Sequence, residues 1–137
     1  MIQYLPSPGT KPRPHYRLQG ALAAGAAIAN ATDVSEIVPI AGMSRVAIHA
    51  KTATAGGTLK AYFVAPVAAD STSLTLANGQ LDPAKVTAYD DTAASNVTLT
   101  AGTSNTMTVT CNGERYLKVT ITGGGTGTVT FVDIAGI

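Results

Sequence analysis

From about residue 34 onward, the apolar residues of this chain recur at every second position. A period of two belongs to strands with one buried face, and a helix cannot present it. SRVAIHAK (44–51) sets Val46, Ile48 and Ala50 against Arg45, Ala47, His49 and Lys51. After AGG at 55–57, TLKAYFVA (58–65) alternates Leu59, Ala61 and Phe63 against Lys60, Tyr62 and Val64. The two runs read as a hairpin with a Gly-containing loop. NVTLTA (96–101) and NTMTVTC (105–111) turn Val97, Leu99, Met107, Val109 and Cys111 to one side and Thr to the other. Asn112-Gly113 is a strong hairpin signal before RYLKVTIT (115–122), where Leu117, Val119 and Ile121 face inward. In TVTFVDI (128–134) apolar residues fall on both faces, so this strand is either covered on both sides or contains a bulge.

Thr fills the outward positions, where a helix would prefer Lys or Glu. SLTLANG (73–79) and KVTAY (85–89) are shorter strand candidates, and LDPAK (81–85) reads as a turn. Ala21–Ala31 is rich in Ala, which favours helix, but Gly20 and Gly25 weaken one and no apolar stripe emerges. An extended lead-in to VSEIVPI (34–40) is the better reading. Seven to nine short strands at this spacing predict an all-β fold, an antiparallel sandwich of jelly-roll-like type.

The chain starts differently. YLPSPGTKPRPHYR (4–17) holds Pro6, Pro8, Pro12 and Pro14, which fix φ, remove amide donors and hold their predecessors extended. Residues 1–19 are therefore expected to form an extended arm, and residues 20–137 one sandwich domain. At about 3.1 Å per residue, residues 1–17 span roughly 50 Å. A body of about 120 residues is only about 35 Å across. The arm can thus reach a neighbour. Tyr4, Leu5, Tyr16 and Leu18 are its apolar anchors, and Lys11, Arg13 and Arg17 carry its charge. Together with Pro6, Pro8, Pro12 and Pro14, all of these but Leu18 form the expected partner-binding set. An arm with no core of its own needs a holder, either its own body or a partner chain.

Composition narrows the function. The 137 residues carry a net charge of +1, and 12% are charged, against about a quarter in ordinary domains. Such a surface suits a chain covered by neighbours in an assembly. There is no basic cluster to bind nucleic acid or an anionic membrane. The lone Cys111 cannot form an intrachain disulfide. The apolar run 21–31 is too short to span a bilayer. Asn30-Ala31-Thr32 and Asn96-Val97-Thr98 match the glycosylation pattern, but no secretion signal accompanies them.

No catalytic constellation is legible, and an enzyme is not expected. His15 lies in the arm, and His49 lies on a polar strand face beside Arg45 and Lys51. Cys111 points inward by parity and reads as a small buried hydrophobe. Two His and one Cys without paired spacing do not form a zinc site, and Asp70, Asp82, Asp90 and Asp91 form no recognisable calcium loop. No cofactor is expected. Gly123–Gly125 and Gly127 lack the Lys and helix of a phosphate loop and read as a hairpin tip. Tyr62 and Tyr116 face outward by parity and are the candidate glycan or interface rings; cross-strand packing with Thr or Lys is the simpler reading.

The arm, EIVPIAGMSRVAIHAKTATAGGTLKAYFVAP (36–66) and GERYLKVTITGGGTGTVTF (113–131) resemble small β-sandwich virion proteins of tailed bacteriophages, closest in character to capsid decoration or cement proteins. The resemblance covers about the C-terminal three quarters of the chain in style, without a fixed motif, so it transfers no individual residue. It implies a homo-oligomer, with a trimer favoured, seated on the major capsid protein or another virion protein. It implies a virion location after assembly in the host cytoplasm, with no nucleic-acid or membrane partner. A tail, neck or fibre component, or a carbohydrate-binding module for host attachment, is the alternative.

Overall fold

Alternation sorts the strands into two faces, and the faces into two sheets. The computed structural model describes residues 15–66, 76, 80–89 and 95–136. The strands are β1 (His15–Arg17), β2 (Ala27–Ile28), β3 (Asp33–Pro39), β4 (Arg45–Ala53), β5 (Gly57–Pro66), β6 (Val86–Ala88), β7 (Val97–Leu99), β8 (Asn105–Thr110), β9 (Tyr116–Gly123) and β10 (Gly127–Gly136). A 3-10 turn at Pro83–Lys85 precedes β6, capped by Asp82 through Ala84 N–H.

Sheet A has the order β1-β10-β4-β8, and sheet B the order β3-β9-β5-β6. β2 pairs with β10 at Gly127 and Thr128, beyond the β1 pairing at Asp133–Ala135, so β1 and β2 form one interrupted edge. β7 continues β6 along β5 in the same way. Counting each interrupted edge once, eight strands in chain order lie as 1-8-3-6 and 2-7-4-5, with every pairing antiparallel. That is the jelly-roll arrangement of two facing sheets, the fold class expected from the number and spacing of the strands.

The inward faces are those read from parity. Val46, Ile48 and Ala50 meet Leu59, Ala61 and Phe63, with Met107, Val109, Leu117, Val119 and Ile121 completing the buried cluster. In β10 the register shifts between Val129 and Phe131. This bulge is one of the two readings offered for the strand, and it lets Val129, Val132 and Ile134 all reach the core. Val64 was expected outward but is buried, flanked on that face by Tyr116 of β9 and Ala88 of β6.

Three local expectations are corrected. β4 and β5 form no hairpin, because β4 lies in sheet A and β5 in sheet B. Asn112-Gly113 likewise joins β8 of one sheet to β9 of the other. Gly123–Gly127 is a packed corner rather than a hairpin tip: Gly124 N–H donates to Gly56 O at 3.0 Å. A Cβ on Gly123 would lie 2.1 Å from Ala29 O, so glycine is required by close backbone approach. Residues 21–31 hold turns and the two-residue β2, with no helix. Leu22 and Ile28 from this stretch, with Leu18 shortly before it, plug the core. Of SLTLANG only Leu76 lies within the described residues.

The turn that carries Leu22 is held by a buried carboxylate. Glu36 is 2% exposed. Its Oε1 accepts from the N–H groups of Gly20 (3.1 Å) and Leu22 (2.9 Å), and its Oε2 accepts from Gln80 Nε2 at 2.6 Å. Buried charge is tolerated here because donors replace water. Glu36→Leu strands two backbone amides and is expected to cost about 2–4 kcal/mol. Glu36→Gln keeps an acceptor for the same amides and should lose less than half of that. Chemical denaturation of both variants checks the ordering.

Candidate functional site

Sheet A presents its outer face as rows that cross four strands. Arg17 of β1 lies opposite Asp133 of β10, Asp133 opposite His49 of β4, and His49 opposite Thr106 of β8. Arg17 Nε donates to Asp133 Oδ1 at 2.7 Å and Nη2 to Oδ2 at 3.1 Å. The guanidinium also lies 5.0 Å from the Phe131 ring centroid, a cation–π contact made available by the β10 bulge. His49 Nδ1 and Thr106 Oγ1 are hydrogen-bonded at 2.9 Å. The hydrogen bond from Arg17 holds the Asp133 carboxyl below its ordinary range; burial opposes this, and the charges of Arg17, His15 and His49 assist. The same bond raises the Arg17 pKa.

A Thr, a His and an Asp thus share one row. The row lies on the outside of a sheet, and both Asp133 oxygens are engaged by Arg17. Thr108 and Thr110 continue the flat outer face along β8. This is a surface suited to packing against another surface.

Tyr16 points the other way, between the sheets. Its hydroxyl donates to Pro39 O at 2.7 Å, linking the edge of sheet A to the edge of sheet B. Burial pushes its pKa up. Leu18 follows as a core residue, 2% exposed. The arm therefore finds its holder partly in its own body: Tyr16 and Arg17, expected to bind a partner, make these contacts within the chain. The expected boundary between residues 19 and 20 falls inside the sandwich, since His15–Arg17 is the first strand of the jelly roll. Tyr4, Leu5, Pro6, Pro8, Lys11, Pro12, Arg13 and Pro14 lie outside the described residues.

Tyr62 and Tyr116 occupy neighbouring rows on the outer face of sheet B, both half-buried. Lys118, opposite Tyr62, places its ammonium 5.6 Å from the Tyr62 ring centroid. This is the cross-strand Tyr–Lys packing weighed against a sugar platform. Cys111 is buried, and burial, with the Glu114 charge adding, raises its pKa and keeps it a thiol. No group of three His, Cys, Asp or Glu side chains that could hold a metal ion occurs among the described residues. None of the described helices is long and apolar enough to cross a membrane. Asp70, Asp90 and Asp91 lie outside the described residues.

Asp133 and Phe131 did not stand out in the sequence. Parity alone puts Asp133 outward, but its partner lies 116 positions earlier in the chain. Compared with family models, curated proteins and solved structures, the chain matches none. The likeness to phage decoration proteins therefore rests on the sequence features alone.

The Arg17–Asp133 pair has a pH signature. Asp133 has a lower pKa folded than unfolded, so its contribution is present in full above about pH 4, the unfolded carboxyl range. It is lost as pH falls through the folded value. An exposed pair of this kind contributes little to global stability and acts mainly on local opening. Asp133→Asn should therefore speed exchange of the Leu18 amide, which donates to Val132 O, by about two- to fivefold at neutral pH. The variant and the parent should converge as pH falls through the folded Asp133 value. Hydrogen exchange followed by NMR reads both effects.

Proposed function

We propose that this chain is a non-enzymatic structural protein of a phage particle, a capsid decoration protein that steadies the assembled lattice by bridging its subunits. One observation carries this reading. The end of the proline-rich arm is the first strand of the sandwich, with side chains anchored on both faces. The arm is therefore joined to the body at a fixed point. Fourteen residues precede His15, and at about 3.1 Å each they extend roughly 43 Å when held in polyproline geometry. That exceeds the body's diameter of about 35 Å. An anchored, pre-extended arm gives a second contact at high effective concentration and low ordering cost.

Two further features support the reading. Jelly rolls recur among viral capsid and lectin domains, which is an analogy at the level of fold. The Thr-rich outer face along β8 suits packing between subunits at fixed stoichiometry. The proposed partner is the major capsid protein or another virion protein, the proposed state a homo-oligomer such as a trimer, and the location the virion. Such a protein acts by mass action: binding only the assembled lattice, it stabilises that lattice by its own binding free energy.

The test is co-sedimentation with mature particles stripped of decoration. The full chain is expected to pellet at fixed stoichiometry and to raise the temperature at which particles release their genome. A chain lacking residues 2–14 should stay folded and bind at least about tenfold more weakly. A full chain that never pellets with particles contradicts the proposal.

A further inference from the structure

The prolines of the arm share one parity, and the structure gives that parity a meaning. Leu18 N–H donates to Val132 O. In the β1–β10 register, His15 opposes Ala135, Tyr16 opposes Ile134 and Arg17 opposes Asp133. Hydrogen-bonded pairs alternate along an antiparallel ladder. Leu18 and Tyr16 thus occupy the slots whose amides face β10, and the next such slot would set position 14 against Gly136. Position 14 is proline, which has no N–H to give. A ladder continued to that slot would lack the donor there. Pro6, Pro8 and Pro12 have the same even parity as Pro14. An extended arm thus has one edge lacking donors at four positions. The opposite edge carries the amides of Leu5, Ser7, Gly9, Lys11 and Arg13. In β1 the odd-numbered amides, those of His15 and Arg17, face away from the chain's own sheet.

The other end of sheet A supplies an acceptor. Among the described residues β8 is the end strand of sheet A, paired with β4 alone. Cys111 N–H donates to Ser44 O, so Met107 and Val109 occupy the slots facing β4 in the printed register. Thr106, Thr108 and Thr110 then direct their backbone N–H and C=O groups to the open edge. Protected edges carry Pro, Lys or a bulge. The edge strand β3 has Pro39 at a slot facing away from β9, whereas NTMTVT of β8 has neither a proline nor a charge.

We propose that the arm of one copy adds as an extra strand to β8 of a second copy, pairing through its odd-numbered amides with Thr106, Thr108 and Thr110. Directions agree. Each neighbouring pair in β1-β10-β4-β8 is antiparallel, so β1 and β8 run oppositely. Two copies side by side in the same orientation bring the arm of one antiparallel to β8 of the next and extend one continuous sheet. Lys11 and Arg13 then share the outer face with the Thr side chains, and the proline rings lie on the side of Met107 and Val109. The donor is a second copy because β1 and β8 are opposite edges of sheet A. A chain's own arm would have to cross the sheet and then turn, against the stiffness of Pro12 and Pro14. The contact is head-to-tail, so it closes into a ring or grows as a filament. It does not depend on the particle reading, because it is measured on purified protein alone.

The test uses three full-length chains in sedimentation velocity. The parent chain is expected to self-associate as concentration rises. Thr108→Pro removes one open-edge donor at a slot where an edge strand tolerates proline, and should be monomeric with an unchanged circular dichroism spectrum. The double variant Ser7→Pro with Lys11→Pro changes only the arm and should also be monomeric; it keeps the test decisive if Thr108→Pro fails to fold. Mixed, the two variants should restore a one-to-one complex, since one retains a competent arm and the other a competent β8. A monomeric parent at all concentrations overturns the proposal, whether the arm stays free or pairs within its own chain. So does an oligomer that survives in the arm variant, or a mixture of folded variants that stays monomeric.

Discussion

Three consecutive residues, Tyr16, Arg17 and Leu18, determine where the N-terminal arm ends and the sandwich begins. A three-residue strand has too few ladder bonds to hold itself. It is held because alternation sends its side chains to both faces. Tyr16 goes between the sheets and bonds Pro39 O, and Arg17 goes outward onto Asp133 and Phe131. Leu18 enters the core while its amide continues the ladder to Val132. Pro39 fits the same logic. Ile40 N–H donates to Arg115 O, so position 39 faces the open edge of β3, where a missing amide costs nothing and a free carbonyl can receive the Tyr16 phenol.

The rest of that edge depends on this placement. After Leu18 the chain leaves β10, turns through Leu22 under the buried Glu36, and rejoins β10 at Gly25 and Ala26 through Val129. One edge of the sandwich is thus built by an excursion of the first connection, pinned at both ends. At the opposite edge, among the described residues, β8 carries only its pairing with β4. The two ends of sheet A differ in chemistry: one emits a proline-bearing arm, and the other offers unguarded Thr backbone groups. A building block with unlike ends is suited to ordered, head-to-tail contact.

Period-two alternation specified which face of each strand is buried, and it did so correctly for Val46, Ile48 and Ala50, for Met107, Val109 and Cys111, and for Leu117, Val119 and Ile121. The parity break in β10 foretold its bulge. Alternation carries no information about partners. Short Gly-containing links at 54–56 and 112–115 look like hairpin turns, yet each crosses between sheets, because both inward faces can be satisfied either way. The site was less legible still. Arg17 stood out as an arm cation, but Asp133, which fixes it, is 116 positions away, and only the register of β1 on β10 brings them together. The role of Glu36 carries no mark in the sequence, since two of its donors are backbone amides and the third, Gln80, lies 44 positions away.

The central claim, that Tyr16, Arg17 and Leu18 are structural members of the sandwich, is tested most directly by thermal melting of two truncations. Removing residues 2–14 is expected to leave the melting temperature within about 2 °C of the parent. Removing residues 2–18 also deletes the Tyr16 bridge and a buried Leu, and should lower stability by about 3 kcal/mol or more, a fall of roughly 10 °C. Equal melting temperatures for the two truncations would contradict the account.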